Sequence, residues 1–341
     1  MSGQAVNKKQ KKQTGVSKGI CFLILCALLF LLFFYSINTG GIHLSFSQLI
    51  RGLFFSYDEQ VAIVYDLRFP RIFIAMLSGA ALAVSGVLFQ AVMRNPLADP
   101  GIIGVSSGAS FTAVAVVLFF PRLFFLSPFF AFLGGILSFL LVYLLSWKSG
   151  PSPLRLILVG VAVNSVFSGI LEGLAYFTGG KQTGAAAMVN ANLTMKTWQD
   201  VHILWIYVAV GLIAAFCIAK SCNLLALEEK TVRNLGISVI RLQITVAMIA
   251  VLLASISTAV SGVISFVGLI GPHMARIFVG SDHRTLIPFS MLLGSFCVLL
   301  ADTTGRVIFY PHEIPASIVL AVVGGPFFIF LLVRGEKTYG N

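Results

Sequence analysis

Charge is what this sequence has least of. Only 10% of its 341 residues are Asp, Glu, Lys or Arg, while 58% are apolar. An ordinary soluble domain carries about 25% charged residues. A soluble fold this poor in charge could not cover its own surface with polar groups. Catalytic signatures are missing too. No GxxxxGK[ST] phosphate loop occurs, and Gly179-Gly180-Lys181 lacks the required spacing. No HExxH zinc motif occurs. The five cysteines, Cys21, Cys26, Cys217, Cys222 and Cys297, form no CxxC pair. That spacing argues against a zinc site or a disulfide framework and leaves them as small apolar packing residues. The expectation is a chain with no metal, no cofactor and no catalytic residues of its own.

Long apolar runs are what it does have. Residues 19–37, GICFLILCALLFLLFFYSI, contain no charge. About 18 such residues suffice to cross the hydrocarbon core as a helix. The run is too long for the apolar part of a signal peptide, and no small-residue cleavage site follows it. Similar runs recur at 68–92, 101–120, 124–147, 154–177, 203–220, 240–261, 262–279, 286–305 and 315–333. Strands of a membrane barrel would be half as long and would alternate in polarity. The fold class expected is all-α, a polytopic membrane protein of about ten transmembrane helices. The segment 262–279 is the weakest span, because it holds Gly268, Gly271, Pro272, His273 and Arg276. Glycine and proline survive in a span only where neighbours shield the freed backbone groups.

The net charge of +11 would suggest nucleic acid on a soluble chain, but here it follows the membrane rule. With the N-terminus inside, only Arg51, Arg68, Arg71, Arg122, Lys181, Lys196 and Arg306 of the 23 basic residues fall outside. That bias predicts both termini in the cytoplasm and no nucleic-acid partner. Residues 1–18 read as a basic cytoplasmic tail able to touch anionic lipid. Residues 19–335 read as one transmembrane domain, and 336–341 as a short cytoplasmic tail. Within that domain, 221–239 forms the longest polar cytoplasmic loop. Its Glu228, Glu229, Lys230 and Arg233 lie at helical spacing before a stop at Gly236. It is either a solvated connector or a helix that docks a partner.

Glu172 is an acid inside the run 154–177, near its outer end. An intramembrane carboxylate is a candidate proton relay, but its position also allows it to reach water. Proton-coupled carriers carry more intramembrane charge or paired broken helices. The scarcity of both places the energy source on another chain. A proton-coupled secondary transporter and a membrane-embedded enzyme are the rival classes.

Four blocks carry further information. RFPRIFIAMLSGAALAVSGVLFQAVMRNPLADPGIIGVSSGA spans 68–109, with Ser78, Gly79, Ala83 and Gly86 allowing close helix packing. SGVISFVGLIGPHMAR spans 261–276, ADTTGR spans 301–306, and EIPASIVLAVVGGP spans 313–326. In this order, and over residues 20–335, they resemble the iron-chelate and vitamin B12 permease family of ABC importers. The resemblance implies ten helices per subunit and a dimer with a second permease copy, either identical or related. It also implies two cytoplasmic ATPase subunits that bind the ATP, and an extracytoplasmic substrate-binding lipoprotein or periplasmic protein. The location implied is the bacterial cell membrane.

By that resemblance, Arg68, Arg71 and Arg306 match arginines that meet acidic residues of the binding protein. Arg offers a rigid fork for carboxylates. Read alone, each could equally anchor lipid headgroups or pair locally, as Arg68 with Asp66. Residues 227–236, LEEKTVRNLG, match the coupling helix that enters the ATPase. Glu229, Arg233, Leu235 and Gly236 fit that pattern, while Glu228 and Val232 depart from it. Asn95, Pro96, Gly104, Gly268, Pro272 and His273 match structural motif positions. Ala316 and Leu320 replace a common Gly and Thr on the last helix.

For cargo, LTMKTWQDV (193–201) and GRVIFYPHEIPA (305–316) resemble haem-importing members of the family. Siderophore members usually carry a Trp and a Gly-Ser before the position of Leu193, where this chain has Met188 and Ala191-Asn192. Haem is therefore the expected cargo and a ferric siderophore the alternative. His43 and His312 lie in outer loops and are candidate haem ligands, but loop histidines are usually just polar, and that is the reading preferred.

Overall fold

The computed structural model describes residues 15–40, 42–147, 153–177, 193–308 and 312–339. Among the described residues there are thirteen α-helices and one 3-10 turn, and no strand. Every apolar run of the sequence becomes a helix. These are α1 (Gly15–Ile37), α4 (Phe69–Met93), α5 (Val105–Phe119), α6 (Ser127–Trp147), α7 (Pro153–Phe177), α8 (Trp198–Leu225), α10 (Val239–Ser261), α11 (Val267–Val279), α12 (His283–Ile308) and α13 (Ala316–Tyr339). Seven helical stretches are long and apolar enough to cross a membrane alone, and three shorter apolar helices complete the set. Exposed Leu23, Leu31, Leu137, Leu144, Ile213 and Val322 give the bundle an apolar exterior, which only lipid or another apolar chain can cover.

The remaining helices lie between spans. α2 (Phe46–Phe54) and α3 (Glu59–Leu67) fill what reads as a plain outer loop. Each has its own N-cap: Ser45 Oγ accepts from the Gln48 amide at 3.1 Å, and Asp58 Oδ1 from the Gln60 amide at 3.0 Å. α9 (Glu229–Asn234) is the cytoplasmic helix of the 221–239 loop. It is shorter than the loop suggests, because 221–225 still belong to α8. The two terminal spans also run past their apolar cores, α1 beginning at Gly15 and α13 continuing to Tyr339. Residues 1–14 and the outer segment 178–192, with Met188, Ala191 and Asn192, lie outside the described residues.

α4 is the central post, and its small residues explain why. A side chain at Gly79 would collide with the backbone of Gly294 in α12, and one at Gly86 with the backbone of Gly268 in α11. Helix axes can approach this closely only where neither side carries a Cβ. Ser85 Oγ donates to the Ala250 carbonyl of α10 at 2.7 Å, and Ser295 Oγ to the Met76 carbonyl at 2.8 Å. Three neighbours are thereby fastened to one helix, so α4 and α12 must move together or not at all.

α11 is indeed the broken span. Its 13 residues reach about 20 Å at 1.5 Å each, short of the ~30 Å core. The non-helical segment 262–266 leads into it, with Phe266 in the left-handed region at φ +68. Pro272 lacks an amide hydrogen and leaves the Gly268 carbonyl without its helical donor. Gln90 of α4 fills that vacancy, its Nε2 donating to the Gly268 oxygen at 3.1 Å.

Candidate functional site

On the outer face the structure gathers residues from four distant parts of the chain. Arg71, in the first turn of α4, binds Asp302 of α12 through Nε (3.0 Å to each oxygen) and Nη2 (2.9 Å). Its Nη1 donates to Glu313 Oε2 at 2.7 Å. Thr194 Oγ1 donates to the same oxygen at 3.1 Å. Arg306, one turn beyond Asp302, forms an ion pair with it at 3.4 Å and also reaches Ser36 of α1. Asp302 is 1% exposed, and such a carboxylate is tolerable inside only because two guanidinium groups face it. Burial would raise the Glu313 carboxyl, but the hydrogen bond and charge of Arg71, with the Thr194 hydroxyl, hold it below the usual carboxylate range. A cavity of about 300 Å³ opens beside Arg71, lined by Thr194, Asp302, Glu313 and the apolar Leu193, Ile314 and Pro315.

The three outer arginines are thus placed differently from free docking forks. Arg71 and Arg306 are buried at 8% and 7% exposure, each against Asp302. Arg68 is half-buried and turns to the Ile37 and Ile42 carbonyls, where it caps the end of α1. It makes no pair with Asp66: uncapped carbonyls at a helix end attract the guanidinium, and both lie within its reach. Asp302 and Glu313 went unread as partners because they are 231 and 242 residues from Arg71. Their one signal was the presence of acids in an otherwise apolar neighbourhood.

At the cytoplasmic end, α9 exposes Glu229, Arg233 and Leu235 and buries Val232. Arg233 Nη2 and Glu229 Oε1 pair at 2.8 Å, one turn apart. Gly236 takes φ +76 just past the helix, and its amide donates to the Arg233 carbonyl at 2.9 Å. A left-handed residue at this position is how helices commonly stop. Two tethers fix the approach to α9. Arg94 ends α4 and donates to the Leu225 and Leu227 carbonyls at 2.9 and 3.0 Å. Asn223, on the last turn of α8, donates to Asp282 Oδ1 at 2.8 Å and accepts the His283 amide at 3.0 Å. That bond from Asn223, together with the Arg284 amide, holds the Asp282 carboxyl below its ordinary value. The sequence signal for Arg94 is its place directly before the NPLADP block.

The motif residues hold separate local contacts, and Pro96 is exposed. Asn95 Oδ1 accepts the Leu97 amide at 3.0 Å, turning the chain at Pro96. Asp99 accepts the Gly101 amide at 2.8 Å and lies against the Gly268 amide. The Gly104 carbonyl receives Ser138 Oγ at 2.6 Å, fixing the start of α5 on α6. His273 packs edge-on against Phe327 of α13, ring centres 5.7 Å apart. Glu172, His43 and His312 are exposed. Among the described residues, no three His, Cys, Asp or Glu side chains gather as a metal-holding group.

The chain as a whole is similar to known proteins. The model of the FecCD transport family matches residues 28–334. The Staphylococcus aureus (strain MSSA476) protein named "Probable heme-iron transport system permease protein IsdF" is 41% identical over 94% of this chain and 98% of its own. The strain Newman form is 40% identical over the same share. A solved chain described as a metal-chelate type ABC transporter, in an inward-facing conformation, superposes with a TM-score of 0.78 at 31% identity. That match covers 93% of this chain and 99% of the other. PsaBC from Streptococcus pneumoniae, at 15% identity and a TM-score of 0.55, shares the fold. By family model, by sequence and by structure, this multi-pass membrane chain belongs to the FecCD transport family of ABC permeases.

Proposed function

We propose that this chain is the membrane-spanning subunit of an importer that carries haem inward, driven by ATP hydrolysed on a separate subunit. The observation that carries the cargo is the 41% identity, over nearly the whole of both chains, to a permease named for haem iron. A ferric siderophore is the second reading, since the superposable structure is described only as of metal-chelate type. The chain itself holds no cofactor in this reading, and ATP belongs to the partner. The subunit works beside a second permease copy, identical or related.

Two contacts complete the reading. Two ATPase subunits bind from the cytoplasm, each seated on a helix Glu229–Asn234 with Arg233, Leu235 and Gly236 at the contact. The exposed Leu227 and Leu235 flanking that helix support this, because apolar side chains facing the cytoplasm gain by being covered. A substrate-binding lipoprotein or periplasmic protein docks outside, over Arg68, Arg71 and Arg306, on a face otherwise poor in basic residues.

Competition uptake tests the cargo. Vesicles holding the permease, its ATPase and its binding lipoprotein should accumulate haem, and excess ferric siderophore should leave the rate unchanged. Siderophore uptake in place of haem selects the second reading.

A further inference from the structure

The two carboxylates on Arg71 are not equivalent. Asp302 is fixed: it is 1% exposed, takes two edges of the guanidinium, and also faces Arg306. Glu313 is held at one point, through Oε2, on the short connection between α12 and α13. Its side chain is 42% exposed, whereas that of Arg71 is 10% exposed. Glu313 can therefore swing into water by side-chain rotation alone, leaving the Arg71 Nη1 donor pointing into the adjoining cavity of about 300 Å³. That cavity is roomy enough for one incoming side chain. Arg68 lies close enough to act electrostatically on Arg306, so three cations face two acids here. The surplus positive charge favours an arriving anion, and the two carboxylates sharing one guanidinium repel each other.

We infer that the cavity beside Arg71 receives an acidic side chain of the docking protein, and that Glu313 holds that place until it arrives. The inference rests on the docking reading above. Docking is then an exchange of one carboxylate for another on Arg71, with Asp302 as the fixed partner. The net gain is small by construction, because the incoming contact replaces an existing one. A charge-assisted bond in a mostly dry site is nevertheless stronger than the half-exposed bond it displaces.

The test is a binding titration between the permease–ATPase complex in nanodiscs and the binding lipoprotein that supports its uptake. Glu313→Gln keeps the size and removes the competing charge, so it should tighten binding by about fivefold. Glu313→Ala, which also removes the Thr194 contact, should do the same. The gain should vanish when the acidic residues on the lipoprotein lobes are changed to amides. Unchanged or weaker binding by both Glu313 variants overturns the exchange, provided the lipoprotein amides still weaken binding to the wild-type permease. If those amides have no effect on the wild type, docking through these arginines fails, and the exchange fails with it.

Discussion

At the scale of single residues, several buried polar groups find their partners far away in sequence. The Gly268 carbonyl is the clearest case, orphaned by Pro272 and satisfied by Gln90. Gln90→Leu should lower stability by about 1–3 kcal/mol, the cost of a buried carbonyl without a donor. In a Pro272→Ala background the loss should shrink, because residue 272 then supplies the missing amide hydrogen. Thermal unfolding of the four proteins in detergent checks this double-mutant cycle. Glu313 gives a pH prediction. Its folded-state value lies below its unfolded one, so its contact with Arg71 contributes fully above the unfolded value. That contribution disappears only as pH falls through the depressed folded value. Lowering the pH from 7 to 5 should therefore leave the outer network intact, as read by the accessibility of a cysteine placed at Thr194. Such pairings were illegible in the sequence, because nothing local links residue 71 to residues 302 and 313. The arginines themselves were legible, but their carboxylate partners inside the same chain were not.

At the scale of elements, the spans were largely legible, and for a physical reason. Lipid offers no hydrogen bonds, so a crossing segment must be both helical and continuously apolar. The run at 203–220 marks the core of α8, but its ends at Trp198 and Leu225 lie in polar sequence and depend on the Thr197–Asp200 capping box and the Arg94 tether. α2 and α3 escaped notice because nine-residue helices at an interface need only a cap and one apolar face. For α9, the exposed pair Glu229–Arg233 should matter little to stability, within about 0.5 kcal/mol. Leu235→Asp should instead abolish uptake while the protein still reaches the membrane, because it charges the face proposed to meet the ATPase. Gly236→Val should cost about 1–2 kcal/mol through its positive φ, since no neighbouring atom blocks a side chain there. Arg94→Ala should leave ATP hydrolysis running but lower the uptake per ATP several-fold, because the lead-in to α9 loses its tie to α4. Parallel assays of hydrolysis and uptake in proteoliposomes separate these outcomes.

At the scale of the whole molecule, one mechanical path joins the two faces. The approach to α9 is tied to α4 by Arg94 and to the start of α12 by Asn223. α4 and α12 touch backbone to backbone at Gly79 and Gly294, and at their outer ends Arg71 meets Asp302. Motion imposed at α9 is expected to reach the outer network through these two closely packed rods. This account requires that ATP, not a proton gradient, supplies the motion. The most direct measurement is haem uptake into vesicles carrying the permease, its ATPase and its binding lipoprotein, with ATP held constant and an uncoupler added. The account predicts unchanged uptake with the uncoupler and none when the ATPase is made unable to hydrolyse ATP. Uptake that collapses with the proton gradient, yet persists with the inactive ATPase, would contradict it.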